Sequence, residues 1–241
     1  MQKITILIIT VFFAFSTSAQ NENISSGVLF DGEPNLSIDP ANPQHMVIAW
    51  MGYPSLNPLS IKAKVTFDAG KTWSIAYSVP HQSPTWHSAD PSLVFDHYGN
   101  VYLCYIDYRQ TPDSGGVYVR RSTDGGLTWG TANKAMDIFA DGSKDPIDRP
   151  WLSIFRDTTA TPDTMFITTK PAPWIPAPNR PYFTRSADGG ITWQTWKYID
   201  STGSLVGNTI QQPMAAPVVS ANGVFHCIYP SYLPSQSIIE P

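Results

Sequence analysis

Glu33, Asp90, Arg149 and Gln212 each stand immediately before a proline in a recurring phrase: "GEPNLSIDP" from Gly32, "ADPSLVFDH" from Ala89, "DRPWLSIFR" from Asp148 and "QQPMAAPVV" from Gln211. The prolines, Pro34, Pro91, Pro150 and Pro213, are 57, 59 and 63 residues apart. Residues one step before equivalent prolines occupy equivalent places in successive repeats. Around a common axis, two carboxyls and a guanidinium would then meet. Such a trio can work as an acid/base pair beside an anion clamp, because one carboxylate raises the proton affinity of the next. A plainer reading stays open. A residue before proline is held extended, and at a wet mouth it is merely solvated.

The elements that would position these residues follow from a second repeat. "VTFDAGKTW" runs from Val65, "RSTDGGLTW" from Arg121 and "RSADGGITW" from Arg185. Their aspartates, Asp68, Asp124 and Asp188, lie 34, 33 and 38 residues after their prolines. Each proline phrase is followed by a turn and a second apolar run, such as "DHYGN" into "VYLCYI" or "SANG" into "VFHCIYP". A third run leads into the aspartate motif and a fourth leaves it. Four strands in about 60 residues make one blade of a β-propeller. The motif is then a hairpin turn. Its Asp accepts turn N–H groups, Gly70, Gly126 and Gly190 supply the positive φ, and Trp73, Trp129 and Trp193 pack beneath. A structural role is expected, since a catalytic aspartate is hardly needed three times.

Composition agrees with an all-β chain. Of 241 residues 22 are proline and 16 glycine, scattered among short apolar stretches, and no long amphipathic run follows the start. A net charge of −4 leaves no electrostatic footprint for nucleic acid. The first 19 residues, with Lys3, an apolar run from Ile4 to Phe15 and small residues to Ala19, read as a signal peptide. That run is short for a membrane span, which needs about 20 residues. Residues 20–241 are thus expected outside the cytoplasm, secreted, periplasmic or at the cell surface, with no membrane span. Cys104 and Cys227 sit in equivalent contexts of different repeats and read as thiols rather than a disulfide.

Ser/Thr-x-Asp-x-Gly-x-Thr-Trp, as in Thr66–Trp73, Ser122–Trp129 and Ser186–Trp193, resembles the Asp box, or BNR repeat, of the sialidase-like family. The resemblance spans about Gly32 to Tyr229. It implies a propeller of six blades, most often in carbohydrate-active enzymes, with the boxes on the outer rim away from the catalytic mouth. The fourth repeat lacks a box 33 to 38 residues after Pro213, so about three and a half blades are expected here, with further blades beyond Pro241.

In such a propeller the first strand of each blade lines the channel, which directs Glu33, Asp90 and Arg149 to one mouth as candidate catalytic residues. Glycosidases need two carboxyls, about 5 Å apart for retention and roughly 6.5–9.5 Å for inversion. Trp50, Trp86, Trp151 and Trp174, with Asp107 and Arg109 of "IDYRQ", are the candidate substrate-binding residues. His87 is a candidate helper of Asp90. Asp141, Asp145 and Asp148 lack the calcium-loop pattern, so neither metal nor cofactor is expected. Sialidases open with F/Y-R-I-P. Phe30 to Pro34 stand there without an arginine, so no sialidase catalytic residue is carried over. The resemblance implies a glycoside hydrolase acting on glycans. The alternative is a non-catalytic propeller that binds glycan or protein.

Overall fold

The computed structural model describes residues 21–27, 29–54, 58–109, 114–138, 147–156, 162–171, 181–199, 215–229, 231–233 and 238–240. The first blade comprises β1 (Asp31–Asp39), β2 (Asn42–Gly52), β3 (Ser60–Thr66) and β4 (Tyr77–Ser78). The second comprises β5 (His87–Phe95), β6 (Val101–Tyr108), β7 (Gly115–Ser122) and β8 (Asn133–Asp137). The third comprises β9 (Ile147–Phe155), β10 (Thr164–Pro171), β11 (Tyr182–Ser186) and β12 (Lys197–Tyr198). Each is an antiparallel meander in chain order. Then come two paired strands of a fourth blade, β13 (Ala216–Val219) and β14 (Phe225–Ile228), and a separate pair, β15 (Ser231–Leu233) and β16 (Ile238–Glu240). The fold is an all-β, incomplete β-propeller. Residues 1–20 and Pro213 lie outside the described residues, and with them the signal-peptide segment.

Blades stack face to face, and the strand alternation shows how. On β6, Val101, Leu103 and Tyr105 join a core shared with Val47, Ile61 and Val65 of the first blade. Their neighbours Tyr102 and Cys104 join the next core, with Leu152, Met165 and Ile167 of the third. A central strand buried on both faces reads as an unbroken apolar run rather than an alternating one. That is why "VYLCYI" has no polar residue. Among the described residues the end blades have such a neighbour on one side, and Leu36 and Ile38 on β1 and Val218 and Ile228 near the other end are exposed.

Side chains on the innermost strands couple the blades. Asn35 Oδ1 accepts the N–H of Leu93 at 2.8 Å, and Ser92 Oγ accepts that of Leu152 at 3.0 Å. Asn35 and Ser92 both follow a repeat proline, so one device serves both junctions. In the third blade its place is taken by Trp151.

The boxes form as the local chemistry dictates. In the second, Ser122 Oγ donates to Asp124 Oδ1 at 2.7 Å and accepts the N–H of Gly126 at 2.8 Å, while the N–H of Thr128 reaches Asp124 Oδ1 at 2.9 Å. The first and third repeat this network around Asp68 and Asp188. Gly70, Gly126 and Gly190 have φ of 85°, 100° and 82°. Trp73 and Trp193 lie against the glycines of their own boxes, whereas Trp129 is buried in the first inter-blade core. Strand register puts each box at the end of its sheet opposite the residues before the repeat prolines. In the first blade Thr66 pairs with Met46, far along β2 from Gly52 beside Asp31. The second box also locks blades together, because His45 bridges Asp39 Oδ2 (3.0 Å) and the carbonyl of Gly125 (2.8 Å).

Candidate active site

Pro34, Pro91 and Pro150 sit at bulges. Pairing of β1 with β2 shifts between Gly32 and Asn35, and that of β5 with β6 between Ala89 and Ser92. The third blade shifts between Asp148 and Trp151, opposite Thr168 and Lys170. The residue inside each bulge is Glu33, Asp90 or Arg149, with φ of 50°, 56° and 48°. These residues are therefore not extended. The bulge overrides the usual pre-proline preference and puts three non-glycine residues on the left-handed side of the map, a strain of order 1–3 kcal/mol each that tends to gather at functional sites. A bulge also re-aims a side chain. Here it turns three side chains towards one point.

The three converge as the repeat register predicts. With Trp151 and Pro34, Pro91 and Pro150 they line one open concavity of about 260 Å³. Arg149 Nη2 lies 3.6 Å from Glu33 Oε1, and the Arg149 backbone N–H donates to Asp90 Oδ2 at 3.1 Å. Burial pushes the Asp90 carboxyl far above the usual carboxylate range, reinforced by hydrogen bonds and charge repulsion from Glu33 and Asp148. The shift favours the protonated form of Asp90 at neutral pH. The acids touch, rather than standing apart as the flanking pair of a glycosidase must. Glu33 and Asp90 thus form one acid group and not the expected acid/base pair.

Three participants were not expected. Asp148 adjoins Arg149 in the same phrase, where the sequence sets it in an acidic cluster with Asp141 and Asp145, which lie outside the described residues. Lys170 Nζ pairs with Asp148 Oδ2 at 2.8 Å, its side chain only 1% exposed. Tyr108 also faces the cluster, its hydroxyl pushed up by burial and by the charges of Asp90 and Asp148. Repeat register was the available signal, since Asp148 stands where the sister blades have Gly32 and Ala89.

The other candidates divide. Trp151 is 40% exposed at the mouth. Trp50 is only 3% exposed and donates its indole N–H to Asp31 Oδ1 at 2.9 Å, so it cannot offer a sugar-stacking face. Trp86 packs against the first inter-blade core. Asp107 is fully buried and accepts from His81 Nδ1 (3.0 Å), the Gln82 N–H (2.5 Å) and Ser88 Oγ (2.9 Å). It staples the first blade's exit to the second. Arg109 is exposed at the end of β6, outside the residues lining the concavity, and its N–H closes the hairpin onto Ser114 O at 3.0 Å. His87 does not assist Asp90. Its Nδ1 accepts the Leu59 N–H at 3.2 Å, and burial and the nearby His81 lower its pKa against the pull of Asp107. Trp174 and Gln212 lie outside the described residues. Cys104 is buried and Cys227 half-buried, both as free thiols.

No family model and no curated protein matches the chain. Solved structures do, and they define the class of fold as a β-propeller. The chain is similar to the α-L-arabinanase of Penicillium chrysogenum complexed with arabinobiose (TM-score 0.61, 16% identity, 86% of this chain and 59% of that one). It is similar also to the GH93 α-L-arabinofuranosidase of Fusarium graminearum with arabinobiose (0.56, 16%, 83% and 56%). A Hadza microbial sialidase matches at 0.55 and 13% identity, over 83% of this chain and 40% of that one. At these identities the likeness is of fold. The chain spans between 40% and 59% of the length of these three structures.

Proposed function

We propose that this chain is part of an exported, sialidase-like Asp-box propeller that hydrolyses glycosidic bonds in glycans, with Asp90 as the proton donor. The observation that carries this is the placement of Asp90 in an open concavity beside Glu33 and Arg149, where burial and then its acidic neighbours raise its proton affinity. A general acid must hold its proton at the working pH and lie within reach of the leaving oxygen. Arg149 orients Asp90 through its N–H, and Trp151 offers an aromatic face for a sugar ring. Because Glu33 and Asp148 touch Asp90, the opposing carboxylate that either stereochemical course requires is expected across the channel, from blades facing β1, β5 and β9. The neighbours' carbohydrate ligands support the substrate class, and residues 1–19 support export.

One observation favours a second reading, a glycan-binding propeller without turnover. Arg149 pairs with Glu33 and Lys170 with Asp148, so the acids are largely neutralised. Asp90→Asn, assayed on neutral and sialylated oligosaccharides, separates the two. Turnover should fall at least about 100-fold with binding kept, the usual worth of a general acid. Undiminished turnover would remove Asp90 from the chemistry, and binding without any wild-type turnover would establish the binding module.

A further inference from the structure

A second cluster of polar side chains lies between the first two blades, apart from the residues that line the mouth. Ser60 opens β3 opposite Gly52, and Ser88 of β5 pairs with Asp107 of β6. His81, in the link from β4 to β5, stands between them. Its Nε2 is 2.9 Å from Ser60 Oγ, and its Nδ1 is 3.0 Å from Asp107 Oδ1. A hydroxyl, an imidazole and a carboxylate are thus joined in series, the arrangement by which a histidine activates a serine.

Which ring nitrogen carries the hydrogen follows from the neighbours. Ser88 Oγ donates to Asp107 Oδ1 at 2.9 Å, so towards His81 Nδ1, also at 2.9 Å, it can only accept. The Gln82 N–H holds the other oxygen of the carboxylate. Nδ1 therefore faces two acceptors and must hold a hydrogen. In the neutral ring Nε2 is then bare, and it is turned to the Ser60 hydroxyl. That hydroxyl has one hydrogen and two acceptors, Nε2 at 2.9 Å and the Pro58 carbonyl at 3.1 Å, and the imidazole is the nearer. The Asp107 side chain is fully covered and that of His81 is 13% exposed, while Ser60 is 7% exposed.

We propose that Ser60, His81 and Asp107 form a second reactive centre, a serine nucleophile that hydrolyses short acyl esters, with Asp107 as the positioning residue. Ser60 Oγ attacks the ester carbonyl carbon while its proton passes to His81 Nε2. The bond to the alcohol oxygen then breaks, and the alcohol leaves with that proton. Water, deprotonated by the same nitrogen, attacks the acyl-serine, releases the acid and restores the Ser60 hydroxyl. Asp107 holds the ring in the tautomer that leaves Nε2 bare and balances the charge of the imidazolium. So covered a serine admits only a small acyl group such as acetate. Asp31, Gly52 and Ser60 stand in one row across the first blade, at the end of the sheet that carries Glu33. An acetyl group on a sugar hydroxyl is therefore the ester that suits the place, a choice that rests on the proposed glycan function, whereas the ester chemistry does not.

The test is labelling of the folded protein with a fluorophosphonate, which bonds phosphorus to an activated serine oxygen and expels fluoride, with p-nitrophenyl acetate as the turnover probe. Wild type should be labelled at Ser60, located by peptide mass spectrometry, and should hydrolyse the ester. Ser60→Ala should lose the label and at least about 100-fold in turnover, and His81→Gln should lose a similar factor. Asp107→Asn should lower kcat at least about 10-fold with KM kept. An Asp107 that is only structural would lower the melting temperature and leave kcat of the folded fraction where it was, which overturns its positioning role. No label on folded wild type, a label on a different serine, or undiminished turnover in Ser60→Ala overturns the proposal. The label is read on wild type, so a variant that fails to fold does not shelter it. Failure of glycan hydrolysis would sink the role of the mouth and leave this labelling intact.

Discussion

The Arg149 backbone N–H donates to Asp90 Oδ2 at 3.1 Å, joining the residues that stand before the prolines of two successive blades. Both are held at positive φ inside a bulge, so the contact is one of backbone geometry as much as of side chains. It fixes Asp90 in place, while burial, helped by Glu33 and Asp148, raises the pKa of its carboxyl.

Because the folded Asp90 has a raised pKa, the folded state binds a proton that the unfolded chain has released above about pH 4. Stability should therefore fall as pH rises from about 4 through neutrality, the reverse of an ordinary ion-paired aspartate. Asp90→Asn should remove this slope and melt higher than wild type at pH 7, by roughly 2–4 °C per kcal/mol recovered. Calorimetry from pH 4 to pH 9 checks it, and parallel curves for both proteins would contradict it.

The boxes should behave with the opposite sign. Hydrogen bonds from the Thr72 side chain and N–H hold the Asp68 carboxyl at about 2. Burial tends to raise Asp124, but bonds from Thr128 and Ser122 outweigh it and its pKa is lowered. Their contribution is present above about pH 4 and is lost as pH falls towards 2. Asp124→Ala should cost about 1–2 kcal/mol by denaturant unfolding, while glycan affinity of the folded protein stays unchanged.

Ala69 has φ of 62° where the other boxes have Gly125 and Gly189 at 74° and 72°. Ala69→Gly should gain about 0.5–1 kcal/mol from relief of this conformation. Gly125→Ala should do the reverse and more, because its Cβ would meet the His45 ring at 2.8 Å and break the tie between blades. Melting temperatures of the two variants, moving apart from wild type, are the measurement.

Asp107→Ala should remove the shared acceptor of three groups in a buried site, leaving the Gln82 N–H unpaired and His81 Nδ1 and Ser88 Oγ with only each other, and cost about 1–3 kcal/mol. Trp151→Ala, at the open mouth, should weaken oligosaccharide binding at nearly unchanged stability. Titration calorimetry and thermal melts on both variants would show whether the staple and the mouth are separate.

The sequence by itself determined the blade count, the register and the boxes, because their interactions are local or periodic. A box closes its hydrogen bonds within four residues, and a strand buried on both faces shows as "VYLCYI" without any partner being known. Equivalent prolines also sufficed to bring Glu33, Asp90 and Arg149 together, since a repeat transfers position from blade to blade. Only the tertiary structure decided what those residues became. The bulge against β2, β6 and β10 set their positive φ, and Lys170 reached Asp148 across a pairing that no local pattern announces. Burial sorted Trp50 and Asp107 from Trp151, because whether a side chain at a strand's end meets solvent or the next blade depends on residues distant in the chain.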